Sequence, residues 1–131
     1  RAAAAAVPIE LERAGAEALP YSDGFFDTAV VTWVLCTIPD PEAALAEVRR
    51  VLKPGGVVLY AEHTRSRFPV ASRLQDLLTP VWERMAGGCR LNREALTLIS
   101  HAGFKLEEIK PCGREDWTLF PFYRGRARRV D

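Results

Sequence analysis

Two β-rich apolar runs, separated by one cleanly punctuated helical segment, constrain this chain more than any other feature. "FDTAVVTWVL", residues 26–35, is nearly continuous in apolar and β-branched residues, the pattern of a strand buried on both faces of a parallel sheet. "VVLYAEH", residues 57–63, is a second such run. Between them, Asp40 is placed to cap a helix and Pro41 to open it. Ala44, Leu45, Val48, Val51 and Leu52 form one apolar stripe. Lys53 suits the C-terminal end of the helix dipole, and Pro54-Gly55-Gly56 stop the helix. Strand, helix, strand over this length is a βαβ unit, with a right-handed crossover expected.

The flanks extend this unit. "VPIELERA", residues 7–14, alternates Val7, Ile9 and Leu11 with Glu10 and Glu12, and Pro8 pushes it toward a sheet edge. "YSDG" is a turn signal. From Phe68 to Met85 the pattern is helical, with Val70, Leu74, Leu77, Leu78, Val81 and Trp82 as a core-facing stripe or a hydrophobic lid. Pro80 is expected to kink or divide that helix. Asn92 is placed to cap a further helix, "REALTLISHAG", closed by Gly103. "FKLEEIKPC" and "WTLFPFYRGRARRV" read as antiparallel strands joined around Gly113, because so short a link cannot make a crossover. The expected fold is α/β, with a mixed sheet ending in an antiparallel strand pair.

At 131 residues the chain suits a single domain with a real core. Its net charge of +1 gives no strong overall field, so neither nucleic acid nor a membrane surface is an expected partner. Arg124, Arg126, Arg128 and Arg129 read either as a solvated strand or as an anion contact. Three cysteines without a CxxC pair argue for neither a disulfide framework nor a zinc motif, and a reducing cytoplasm fits them. No metal-ligating set is expected. The start, Arg1 followed by five alanines, looks like the end of a helix, which suggests a truncated or processed chain.

Four stretches in order carry a resemblance. "AEALPYSDGFFD", "TWVLCTIPDPEAALAEVRRVLKPGG", "LYAEH" and the final strand pair resemble the C-terminal part of a class I S-adenosylmethionine-dependent methyltransferase. "VLCTIPDPEAALAEVRRVLKPGG", "AEHTR", "GGCRLNRE" and "FYRGRA" are similar, more narrowly, to the thiol-methyltransferase-like (methyltransferase-like seven) branch. The resemblance implies a Rossmann-like methyltransferase fold that is incomplete here, with residues 1–131 as one N-terminally truncated domain. The family's Gly-rich loop and ribose-binding carboxylate do not occur in this sequence. Gly15 stands where many members carry an acidic residue.

That resemblance, with the rule that α/β ligands sit beyond the carboxyl ends of strands, selects the candidate site. Ala16, Glu17 and Leu19 are the expected adenine wall; Thr32 and Trp33 end the next strand and cover the cofactor or line the acceptor site. His63 is the expected proton acceptor and Glu62 its orienting group. Cys36 reads as a small packing residue, and Arg90 as a surface residue or an anion contact. The implied cofactor is S-adenosylmethionine, with weak or absent binding by this chain alone. The implied activity is methyl transfer to a small or lipophilic thiol, amine or hydroxyl acceptor. The alternative is a non-catalytic interaction module, because the open edge of "FDTAVVTW" invites homodimer pairing unless "VPIELERA" swings in against it.

Overall fold

The computed structural model describes residues 7–113 and 119–130. The alanine-rich start and Trp117 lie outside the described residues. The elements run β1 (Phe26–Thr32), α1 (Pro41–Val51), β2 (Leu52–His63), α2 (Pro69–Met85), α3 (Ala95–His101), β3 (Phe104–Pro111) and β4 (Phe122–Arg129). They build one four-stranded sheet of order β1-β2-β4-β3. β1 and β2 are parallel, with Val30 opposite Leu59 and Val31 opposite Tyr60. β2–β4 and β3–β4 are antiparallel, so the mixed sheet and its terminal strand pair are as the sequence implies.

The helix between the parallel strands begins as expected. The Asp40 carboxylate accepts the Ala43 N–H at 2.9 Å, with Pro41 in the first turn. It ends earlier than the glycines suggest. Leu52 is already extended and pairs with Phe26, and the ladder then resumes at Val57 opposite Thr28. The intervening Lys53-Pro54-Gly55-Gly56 bulges out, and Lys53 is tied to Asp27 at 2.7 Å.

The core lies on one face of the sheet. Val31, Val58, Tyr60, Ala127 and Phe104 pack against Leu45 of α1 and Ala95 and Ile99 of α3. The other face is open: Val30 is 67% exposed and Leu59 42%. Burial of β1 therefore alternates, and the expectation of a strand covered on both faces is corrected.

Further expectations change. Residues 7–14 form no strand, and Val7, Ile9 and Leu11 are exposed. β1 pairs only with β2 among the described residues, so "VPIELERA" has no ladder to join. The apolar stripe of α2 faces outward, with Val70 82% and Leu77 74% exposed, while Gln75 and Thr79 are buried. Polar bonding accounts for this orientation. The Gln75 amide accepts the Ser66 N–H and donates to the Leu119 carbonyl, each at 2.8 Å. α2 also runs through Pro80 undivided. Finally, Asn92 does not cap α3. It donates to Asp76, and the first N–H of α3, on Ala95, is satisfied by the Thr64 hydroxyl.

The C-terminal arginines belong to β4 and are largely absorbed by structure. Arg126 and Arg128 both reach Glu107, at 2.7 and 2.6 Å. No helix among the described residues is long and apolar enough to cross a membrane.

One contact stitches three strands together. The Tyr60 hydroxyl, from β2, passes over Gly125 of β4 and donates to the Glu108 carbonyl of β3 at 2.8 Å. A Cβ on Gly125 would lie 1.9 Å from that carbonyl oxygen and 2.6 Å from the hydroxyl. Gly125→Ala is therefore expected to destabilise the fold by about 1–3 kcal/mol or more. Urea unfolding checks this, and an unchanged midpoint would contradict the crossing.

Candidate active site

β1 and β2 end side by side, and the chain beyond their carboxyl ends forms the site. Trp33 follows β1 with φ 54°, a left-handed conformation costly for a bulky residue. Its N–H still donates to the Ala61 carbonyl at 3.1 Å. The backbone thus stays on the sheet edge while the chain turns sharply away. Glu62 holds this turn. One carboxylate oxygen accepts the N–H of Val34 at 2.8 Å and of Leu35 at 3.3 Å. The residue is 1% exposed, and its second oxygen has no partner among the described residues. Burial pushes its pKa up, against the two N–H bonds that lower it.

His63 is the next residue along the strand, so its side chain leaves the opposite face. Its Nε2 lies 3.2 Å from the Cys89 sulfur, and its Nδ1 is buried without a partner among the described residues. Glu62 therefore does not orient His63; strand alternation points the two apart. Burial pushes the His63 pKa down and favours the neutral ring.

Cys89 arrives on the loop after α2. The N–H of Arg90 donates to the Cys36 carbonyl at 2.9 Å, which pins this loop to the turn after β1. The Arg90 side chain is paired with Glu83. Cys36 is buried, and burial pushes its thiol up to about 11. The ligand-capable atoms of Cys36, His63 and Cys89 all lie within 4.8 Å of one another. Sequence reasoning missed this set, because the three residues are scattered and share no local motif. Their positions after adjacent strand ends, and in the "GGCR" loop, were the only signal.

Trp33, Trp82, Leu91, Phe120 and Phe122 close an apolar pocket of about 290 Å³, with His63 and Cys89 on its wall. Trp33 stacks on Phe122 with ring centres 4.6 Å apart, and Trp82 meets Phe120 at 5.6 Å.

The expected cofactor residues do not converge. Ala16 and Leu19 line a separate apolar hollow of about 310 Å³ with Phe26, Val31 and Val34. Thr32 lines the open sheet face instead, beside Leu59 and Arg124. Glu17 is half-buried in the turn before Leu19. An α1 clamp fixes this loop. Arg50 donates to the carbonyls of Leu19 and Tyr21 and to Asp23, and Glu47 accepts the Leu19 N–H. Hydrogen bonding from Arg50 holds the Glu47 carboxyl down at about 2. The Ala16–Leu19 hollow offers aliphatic and aromatic contacts that suit the faces of a flat ring such as adenine but not its polar edge. Thr28 is the only polar side chain on its lining, too little for the ribose hydroxyls and amino-acid charges of S-adenosylmethionine.

A family described as a methyltransferase domain matches residues 1–60. The chain is 39% identical over 84 residues to human thiol S-methyltransferase TMT1B, covering 63% of this chain and 34% of that protein. It is 41% identical over 68 residues to a ubiquinone/menaquinone biosynthesis C-methyltransferase, UbiE, of Francisella tularensis subsp. novicida, covering 52% of this chain and 27% of that one. The fold superposes on a SAM-dependent methyltransferase from Methanosarcina mazei with TM-score 0.65 at 19% identity, over 94% of this chain and 67% of that chain. The chain belongs to the class I S-adenosylmethionine-dependent methyltransferases. Within that class it is similar to the thiol S-methyltransferases, and it spans about a third of the length of the human one.

Glu62→Gln keeps the acceptor for Val34 and Leu35 and removes the charge. Burial raises the folded-state pKa above the ordinary 4.5, so Glu62 is favourable while protonated and loses stability as pH rises through its folded value. The variant is expected to match the wild type in acid and exceed it at about pH 8. Denaturation midpoints at both pH values check this; a constant difference would contradict it.

Proposed function

We propose that this chain is the acceptor-side portion of a methyltransferase that acts on a small apolar thiol. The apolar pocket at the ends of β1 and β2 carries this reading, because among its aromatic and aliphatic lining His63 and Cys89 are the side chains able to meet a reacting sulfur. An apolar acceptor would lie against these aromatic rings, with its reacting sulfur beside those two side chains. Methyl transfer is a direct displacement, so alignment and water exclusion supply most of what the protein must give. A thiol needs little help from a base, since its pKa is near ~8.5. The similarity to thiol S-methyltransferases supports a thiol over an amine or hydroxyl acceptor. Three free cysteines fit a reducing cytoplasm.

The chain holds only part of the cofactor site. Ala16 and Leu19 would meet the adenine of S-adenosylmethionine, which supplies the electrophilic methyl group when bound. The remaining polar contacts come from polypeptide beyond these residues.

A second reading, an interaction module, has its own support. β1 has no partner on its outer edge among the described residues, and Val30 beside that edge is exposed. A second copy pairing there would give a homodimer.

Calorimetric titration with S-adenosylhomocysteine, with mass measured in the same buffer, separates the readings. The proposal expects a monomer that takes up little ligand, and both binding and thiol methylation once upstream polypeptide is restored. In that longer protein Trp33→Ala is expected to lower kcat/KM for an apolar thiol on the order of tenfold or more, with Trp33→Phe retaining most activity. A dimer that binds no cofactor, in either length, would favour the interaction module.

A further inference from the structure

We propose that Cys36, His63 and Cys89 form a three-ligand site for a thiophilic divalent cation, zinc first among them, whose fourth position opens into the apolar pocket and takes the acceptor's thiolate. The proposal rests on the thiol reading above and gives it a means of activation.

Convergence is the first argument. Cys36 comes from the turn after β1, His63 from the end of β2 and Cys89 from the loop after α2. Three restraints bring them together: the Glu62 carboxylate on Val34 and Leu35, the Arg90 N–H on the Cys36 carbonyl, and the Arg93 guanidinium on the carbonyls of Leu35 and Ile38. The ligand set is therefore built before any ion arrives.

Chemistry is the second. Two sulfurs and one imidazole nitrogen are a borderline-soft donor set, the kind zinc prefers over magnesium or calcium. The His63 nitrogen and Cys89 sulfur are 3.2 Å apart, and no pair of donors exceeds 4.8 Å. A tetrahedral site with bonds of about 2.0–2.3 Å needs each donor to move by less than roughly an ångström from here.

The open position is the third. Three protein ligands with a free fourth site mark catalytic rather than structural zinc. His63 and Cys89 are the two ligands on the pocket wall, which places the free position on the side of Trp33, Trp82 and Phe122. A coordinated thiol is deprotonated outright. The acceptor thiol loses its proton to solvent on binding, and its sulfur then forms the new S–CH₃ bond. The sulfonium–methyl bond breaks with its electron pair left on the cofactor sulfur. The anion and the sulfonium cancel, leaving a neutral thioether and neutral S-adenosylhomocysteine.

The test reads metal, not turnover. The chain is stripped with chelator, loaded with zinc or cobalt(II), gel-filtered and assayed for bound metal by mass spectrometry. One zinc per chain is expected. The cobalt form is expected to show thiolate charge-transfer absorption and the intense visible bands of a tetrahedral site, and added benzyl mercaptan is expected to shift them. Changes to groups beyond the ligands alone cost ~10–100-fold in metal affinity, so Cys89→Ser and Cys36→Ala are each expected to lose at least that. Circular dichroism reports whether each variant folds; Cys36→Ala keeps a small apolar residue in the buried position, and Cys89 sits on a loop. Zinc uptake well below one per chain, uptake unchanged in both folded variants, or cobalt bands indifferent to the mercaptan would each overturn the proposal. Thiol methylation by the longer protein without metal sinks the site and leaves the activity standing. Stoichiometric zinc in a protein that methylates no thiol sinks the activity reading and leaves the metal site.

Discussion

The candidate site depends on one buried carboxylate. Glu62 sits at the end of the central parallel strand and accepts two backbone N–H groups from the turn that leaves the neighbouring strand. Without that acceptor, the donors of Val34 and Leu35 would lose their partner, and the buried one, on Leu35, would cost about 1–3 kcal/mol. The turn carries Trp33 on its near side and Cys36 on its far side. Holding it therefore shapes the pocket wall and places a sulfur beside His63. A residue that sequence logic casts as a chemical partner of the histidine acts as the tie on which the histidine's surroundings are built.

Much of the scaffold was legible in the chain. The run 26–35, the Asp40-Pro41 start and the second run at 57–63 each carried a local signal, and the strands and helix they announce are present, though the first strand ends at Thr32 and one face of the sheet is open. The antiparallel terminal pair followed from link length alone. What failed was whatever depended on a partner surface. Residues 7–14 alternate as a strand should, but alternation supplies no neighbour, and a strand without a ladder is coil. In α2 the apolar stripe was visible while its direction was not. Gln75 turns inward because the backbone groups of Ser66 and Leu119 need its polar atoms, and hydropathy cannot register that demand.

The site was legible in position and not in role. Trp33 and His63 meet the same pocket, as their places at strand ends imply. Ala16 and Leu19 share a hollow of their own, and Thr32 faces away, because adjacent residues on a strand belong to opposite faces. Cys89 gave no signal that a spacing rule could detect. Its closeness to Cys36 is set by the Arg90 N–H on the Cys36 carbonyl and by the Arg93 guanidinium on the carbonyls of Leu35 and Ile38, bonds between segments more than fifty residues apart.

The Tyr60 hydroxyl that crosses Gly125 has a consequence for how such a sheet can change over time. The aromatic ring on one strand and the missing side chain on the next occupy the same space, so neither position is free while the other stays fixed. A side chain at 125 is admissible only after the ring at 60 has shrunk, and the shrunken ring leaves a gap that a side chain would fill. Among relatives that share this strand order, the two positions are expected to vary as a linked pair. Their joint pattern would report how strands β2, β4 and β3 are stacked in chains whose structures are unknown.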